Sequence, residues 1–357
     1  MLGRRQVLAM GAALSVHVGC GTGRSAPSDQ LFTRNLGPAA RLGGGYRKPS
    51  FLSLRPGAMI LSWDGHVVSM PRRDAPPRSI VAADARGLTV IGDRIVLAAR
   101  GHSASIDPPA TRSVVAVDSM DLDGGNRVRH FDGPDGGPSL WAVYGDGKRA
   151  VWTDADGAIY RLEGATSKKL SPGPAQDGVV CDLGFVWRVA VPPEEEGRTE
   201  TFRLTRWDGT QLTIMRRPAL PYRRPLVAVG DLVLMGEPSG FTRLGLRGEH
   251  SEASYVRYRV PPLEGTLPTA LTANGQEIAW TQTTRFVDHP GSREARQSVW
   301  TCNPRQPDLT ERIVADGPPI AELAIDAEGM AWVELGDGAF MDDPGFHVPL
   351  LVVADFA

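Results

Sequence analysis

The sequence predicts an all-β fold, a single β-propeller of seven four-stranded blades, and three observations carry that prediction. From residue 50 onward, short apolar or alternating runs recur between Gly, Pro, Asp and Asn, with no long helical period. One unit, a turn followed by a strand, repeats along the chain: Gly145-Asp146-Gly147-Lys148-Arg149-Ala150-Val151-Trp152, Asn274-Gly275-Gln276-Glu277-Ile278-Ala279-Trp280 and Glu328-Gly329-Met330-Ala331-Trp332. Weaker copies start at Gly57, Gly92, Gly184 and Gly230, so that six intervals of about 45 residues separate Gly57 from Gly329, the period of a propeller blade. Six or eight blades are the alternative counts.

The first twenty residues differ from all that follow. Arg4 and Arg5 precede an uncharged, mostly apolar run from Val7 to Val18, too short to span a bilayer of roughly 30 Å as a helix but suited to a signal-peptide core. Gly3-Arg4-Arg5-Gln6-Val7-Leu8 resembles a twin-arginine export signal, and Val18-Gly19-Cys20 resembles the end of a lipoprotein cleavage box. That resemblance makes residues 1–20 a signal peptide, Cys20 the lipidation site and residues 21–30, rich in Gly, Ser and Pro, a flexible tether. The expected location is the cell envelope, periplasmic and membrane-anchored through that lipid alone; secretion after cleavage nearby is the alternative.

Residues 31–357 form the expected propeller. In the third blade, Ser139–Tyr144 reads as the inner strand, Arg149–Thr153 as the second, Ala158–Leu162 as the third and Lys168–Leu170 as the last. The seventh unit has strands near Ala321–Ile325, Met330–Leu335 and Val348–Val353 and then runs out of chain one strand short. The alternating run Leu31–Leu36 is the candidate for the missing outer strand, since an unclosed ring would leave a sheet edge open. The tryptophans at blade period, Trp63, Trp152, Trp187, Trp280 and Trp332, are read as packing between blades rather than as a ligand cage.

With those units laid out, a family resemblance emerges. Val117-Asp118-Ser119-Met120-Asp121-Leu122-Asp123-Gly124-Gly125-Asn126-Arg127 resembles the strand-turn-strand of TolB-like propeller repeats, and the turns at Gly145–Arg149 and Asn274–Gln276 are similar to their Pro-Asp-Gly-Lys turn. The resemblance implies a non-catalytic periplasmic protein that binds another protein, although related repeats also cap peptidases, and that family usually has six blades.

Composition narrows the chemistry. A net charge of −2, with both signs interspersed, excludes a basic stripe for nucleic acid. Beyond Cys20 there are only Cys181 and Cys302, both in strand-like runs, where free thiols behave as small hydrophobes; a bridge between them is the other reading. Asp121-Leu122-Asp123-Gly124-Gly125-Asn126 opens like a calcium loop, but Asn126 and Asp132 stand where Gly and Glu are needed, so a hairpin turn is expected. Gly101-His102-Ser103-Ala104-Ser105 lacks the second glycine and the following helix of a nucleophile elbow. The Glu194–Glu196 run reads as a solvated hairpin tip.

One group of residues is less bland. Hairpins joining second and third strands share a face with the blade-to-blade connections, and three of them carry an Asp one or two residues before a Pro: Asp107-Pro108 in blade two, Asp288-His289-Pro290 in blade six, and Asp343-Pro344 with His347 in blade seven. Asp107, Asp288, His289, Asp343 and His347 are therefore the candidate ligand or metal face, on loops held by a rigid scaffold. The first expectation is a monomeric envelope protein with no cofactor, binding a protein or other macromolecular partner. The rivals are a metal-dependent, lactonase-like hydrolase, in which those Asp and His side chains share a divalent cation, and a purely structural envelope component.

Overall fold

In the computed structural model, the described residues are 31–355 apart from 36–40, 43–44, 47–49, 56, 64, 73–76, 103–112, 135–140, 191–198, 220–222, 239, 249–253, 258–267, 290–291, 307–310 and 336–349. They contain thirty strands, and twenty-eight of these make seven four-stranded antiparallel sheets. Blades 1 to 6 are meanders over 50–82, 84–134, 142–171, 175–217, 226–257 and 269–317. Blade 7 takes three strands from 320–355, and its outer strand is Leu31–Asn35, which pairs antiparallel with Leu350–Asp355 from Leu31 opposite Ala354 to Asn35 opposite Leu350. The N-terminal strand therefore closes the ring, as strand counting predicts. A two-stranded ribbon, Arg41–Leu42 with Gly45–Tyr46, lies between this strand and blade 1 in sequence.

The blade count is decided by the core. Buried apolar residues fall into seven clusters, and each draws its members from two adjacent blades. The seventh joins Met59, Leu61 and Met70 of blade 1 to Ala331, Val333 and Leu351 of blade 7, so the ring is complete. Alternation within each strand sends successive side chains to the two faces of a blade, where a neighbouring blade covers each. Trp152, Trp187, Trp280 and Trp332 are fully buried among residues of the preceding blade, and Trp63 packs likewise against blade 7. They are packing residues, as their spacing suggests. Cys181 and Cys302 are free buried thiols in separate clusters, not a bridge.

First strands line the axis and nearly touch one another. Gly87 is required there, because a Cβ at this position would lie 2.5 Å from the backbone nitrogen of Val143 in the next blade. Backbone cannot yield as a side-chain tip can, so Gly87→Ala is expected to cost about 1–3 kcal/mol in a reversible melt. The repeat glycine has a different reason, as at Gly147, where the turn into the second strand holds φ at 83°.

Candidate functional site at the mouths of the central channel

The face bearing the turns between first and second strands is called lower here, and that bearing the hairpins between second and third strands upper. At the lower mouth a cavity of about 1140 Å³ is lined by blades 1, 2, 3, 6 and 7, and a second of about 320 Å³ by blades 3 to 6. The repeated Asp or Asn of the sequence unit sits at this mouth, and its job is to fold the turn. Asp146 Oδ1 accepts from the backbone N–H of Lys148 (2.9 Å) and Arg149 (2.7 Å). Asn274 Oδ1 does so from Gln276 (2.8 Å) and Glu277 (2.7 Å), and Asp326 Oδ1 from Glu328 (2.8 Å) and Gly329 (2.9 Å).

Lower-face carboxylates are also neutralised by arginines from other blades. Arg149 reaches Asp182 at 2.6 Å, Arg305 reaches Asp231 at 2.8 Å, and the buried Arg72 of blade 1 bonds Asp326 of blade 7. Trp207 lies under two guanidinium groups, Arg149 at 5.0 Å and Arg161 at 5.1 Å, while its N–H donates to the Asp182 carbonyl. This mouth is thus laced by bonds within the protein.

The upper mouth is built differently. Five first strands carry a bulge near their upper ends, in blades 1, 2, 4, 6 and 7. Two bulges hold non-glycine residues at positive φ, Phe51 at 58° and Ala270 at 44°, a conformation associated with functional sites and costly elsewhere. The bulge at Phe51 faces Glu322 of blade 7, whose carboxylate accepts from the Phe51 and Leu52 N–H groups. Burial nevertheless pushes the Glu322 carboxyl up from 4.5 to about 7, outweighing those two bonds.

Because the folded value is raised, the acid's neutral form is favoured by folding. Its stabilisation is complete below about pH 4.5 and is lost as pH rises through about 7. Glu322→Gln should remove that slope, matching wild type in urea melts at pH 4 and exceeding it at pH 8 by on the order of 3 kcal/mol.

Between blades 6 and 7 the upper core is uncharged but polar. Thr269 and Thr281 hydroxyls lie 2.5 Å apart, and Gln297 accepts from the Ile320 N–H at 2.8 Å. Between blades 4 and 5 it is ionic. Arg224, on the connection between them and 2% exposed, donates to Glu200 of blade 4 (2.7 Å) and to Glu237 of blade 5 (2.9 Å). Arg188 lies 3.1 Å from the other Glu200 oxygen, and Arg217 donates to Glu237 at 2.7 Å. Asp177, 3.4 Å from Arg188, has its carboxyl raised by burial, against the pull of Arg188 and Arg223.

Of the residues singled out from sequence, Asp288 is exposed near the upper end of the blade 6 hairpin, opposite Arg293. His289 pairs with Ser292 at the end of that ladder, and its side chain lies outside the described residues, as do Asp107, Asp343, His347, Cys20 and the Glu194–Glu196 run. Among the described residues no three His, Cys, Asp or Glu side chains gather in a metal-binding arrangement. The Asp121–Asn126 segment is the hairpin turn expected: Asp121 accepts from Arg94 (3.1 Å) and Asn126 (2.6 Å), Asp123 from the Gly125 N–H. The sequence reading missed Phe286, 39% exposed on the blade 6 hairpin, together with Glu322 and the arginine network. The Arg223-Arg224 doublet between two blades was the one signal for the last of these.

No protein-family model matches the chain, and no curated protein matches it in sequence. Solved structures do resemble it in overall arrangement. The propeller domain of the trilobed protease from Pyrococcus furiosus is 11% identical over 80% of this chain and 90% of that one, with a TM-score of 0.49. BamB from Moraxella catarrhalis is 13% identical over 86% and 84%, with a TM-score of 0.43. A puromycin-hydrolysing peptidase from Mycobacterium tuberculosis is 15% identical over 81% of this chain but only 49% of its own, with a TM-score of 0.49. The chain is a seven-bladed β-propeller. That assignment rests on the seven sheets and the seven seams between them.

Proposed function

We propose that this is a TolB-like, non-catalytic propeller of the cell envelope, lipid-anchored through Cys20, which binds a protein partner through its upper face. The observation that carries the reading is the blade 6 hairpin, Ile278–His289 with Ser292–Cys302. Its twelve- and eleven-residue strands are the longest in the molecule's described part, and it presents Phe286 and Asp288 on the surface. A large exposed aromatic beside charged groups is the composition of a protein-binding patch. On the lower face, by contrast, Asp182, Asp231 and Asp326 are taken up by arginines from other blades.

A photo-crosslinking amino acid in place of Phe286, in cells expressing the full chain, tests this. One discrete adduct to an envelope protein is expected, lost when Asp288→Arg is added, with the melting temperature unchanged. Absence of an adduct from position 286, with one from the lower-face position Leu183, would overturn the assignment of the face.

A further inference from the structure

We infer that the propeller has a fixed polarity toward the membrane: its lower face lies at the membrane end and its upper hairpins point away, toward a partner in the aqueous compartment. This rests on the reading of Cys20 as the lipid-bearing residue. The observation behind it is the register of the closing strand. Leu31 stands opposite Ala354, Ala354 opposite Met330, and Met330 opposite Ile325, immediately beside the lower turn at Asp326–Glu328. At the other end Asn35 stands opposite Leu350, Leu350 opposite Glu334, and Glu334 opposite Ile320, at the upper edge. The chain thus enters blade 7 from below and runs upward.

Magnitudes then set the direction. Eleven residue steps separate Cys20 from Leu31, which even fully stretched reach about 36–40 Å. The second strand of blade 6, Ile278–His289, climbs twelve residues from the lower turn to the hairpin end, on the order of 40 Å at the strand rise. Bringing that hairpin to the bilayer would need a tether stretched to its limit along the height of blade 7. Leaving it pointed away needs no stretch at all. Blades 6 and 7 are neighbours, so a probe on each reports height above the bilayer rather than position around the ring.

The test places a fluorescent amino acid at Ala327, on the lower turn of blade 7, or at Asp288, on the blade 6 hairpin. The full chain, lipidated in a bacterial host, is reconstituted in vesicles whose phosphatidylethanolamine headgroups carry a nitroxide quencher. Most of the signal at position 327 should be lost, and most of that at 288 retained. Equal quenching, or stronger quenching at 288, overturns the inference. A chain beginning at Cys20 and coupled through that thiol to a maleimide lipid repeats the measurement. If the cells add no lipid, the anchor reading fails, while the coupled form still decides the polarity.

Discussion

Removing the closing strand, residues 31–35, is expected to make the protein aggregate instead of melting cooperatively. Five register pairs tie that strand to Leu350–Asp355. At about 1 kcal/mol net for each hydrogen bond lost, the direct cost is on the order of 5 kcal/mol, a large part of a domain's stability. The indirect cost is an open edge on a strand whose Leu351 and Val353 are buried in the seam with blade 1, inviting pairing between chains. Deleting residues 21–28 instead, which lie ahead of the strand, should leave both the melt and the elution volume of the protein unchanged. Circular dichroism melts and size-exclusion chromatography of the two truncations check this. Equal behaviour would mean that the ring is held without its N-terminal strand.

The reason this strand was legible from sequence is that blade closure is a counting problem. Turn residues and strand period are local properties, so the Gly147, Gly275 and Gly329 units could be aligned without knowing any contact. The tryptophans were legible for the same cause, since a residue repeating at blade period must occupy equivalent environments. What could not be read is what depends on contacts between distant residues. Glu322 acquires its environment from a bulge at Phe51, 271 positions earlier in the chain, and neither residue belongs to a motif. The bulges themselves leave no sign in the apolar pattern, because one extra residue merely shifts the alternation. The Asp and His loops were chosen by composition, and only Asp288 and the backbone at His289 fall among the described residues, both on the hairpin where they were expected.

The arginine network between blades 4 and 5 provides the second large effect. Among the described residues Arg224 alone connects Glu200 to Glu237, and both carboxylates are buried, 6% and 8% exposed. Truncation by Arg224→Ala leaves Glu200 with Arg188 and Glu237 with Arg217, and takes from each buried acid a charge-assisted bond that contributes about 1.5–3 kcal/mol. The prediction therefore has two arms. Arg224→Ala should lower the urea midpoint sharply with the slope unchanged, as for a purely energetic loss. Adding Glu237→Gln to an Arg224→Met background should restore part of it, since Glu200 keeps the buried Arg188 and the new amide oxygen can still accept from Arg217, which lies within 2.7 Å of the native carboxylate. If the double variant stays as unstable as Arg224→Ala, buried charge is not the cause. The network would then act chiefly by geometry, with the Arg188 bond to the Arg224 carbonyl (2.5 Å) fixing the connection between the two blades.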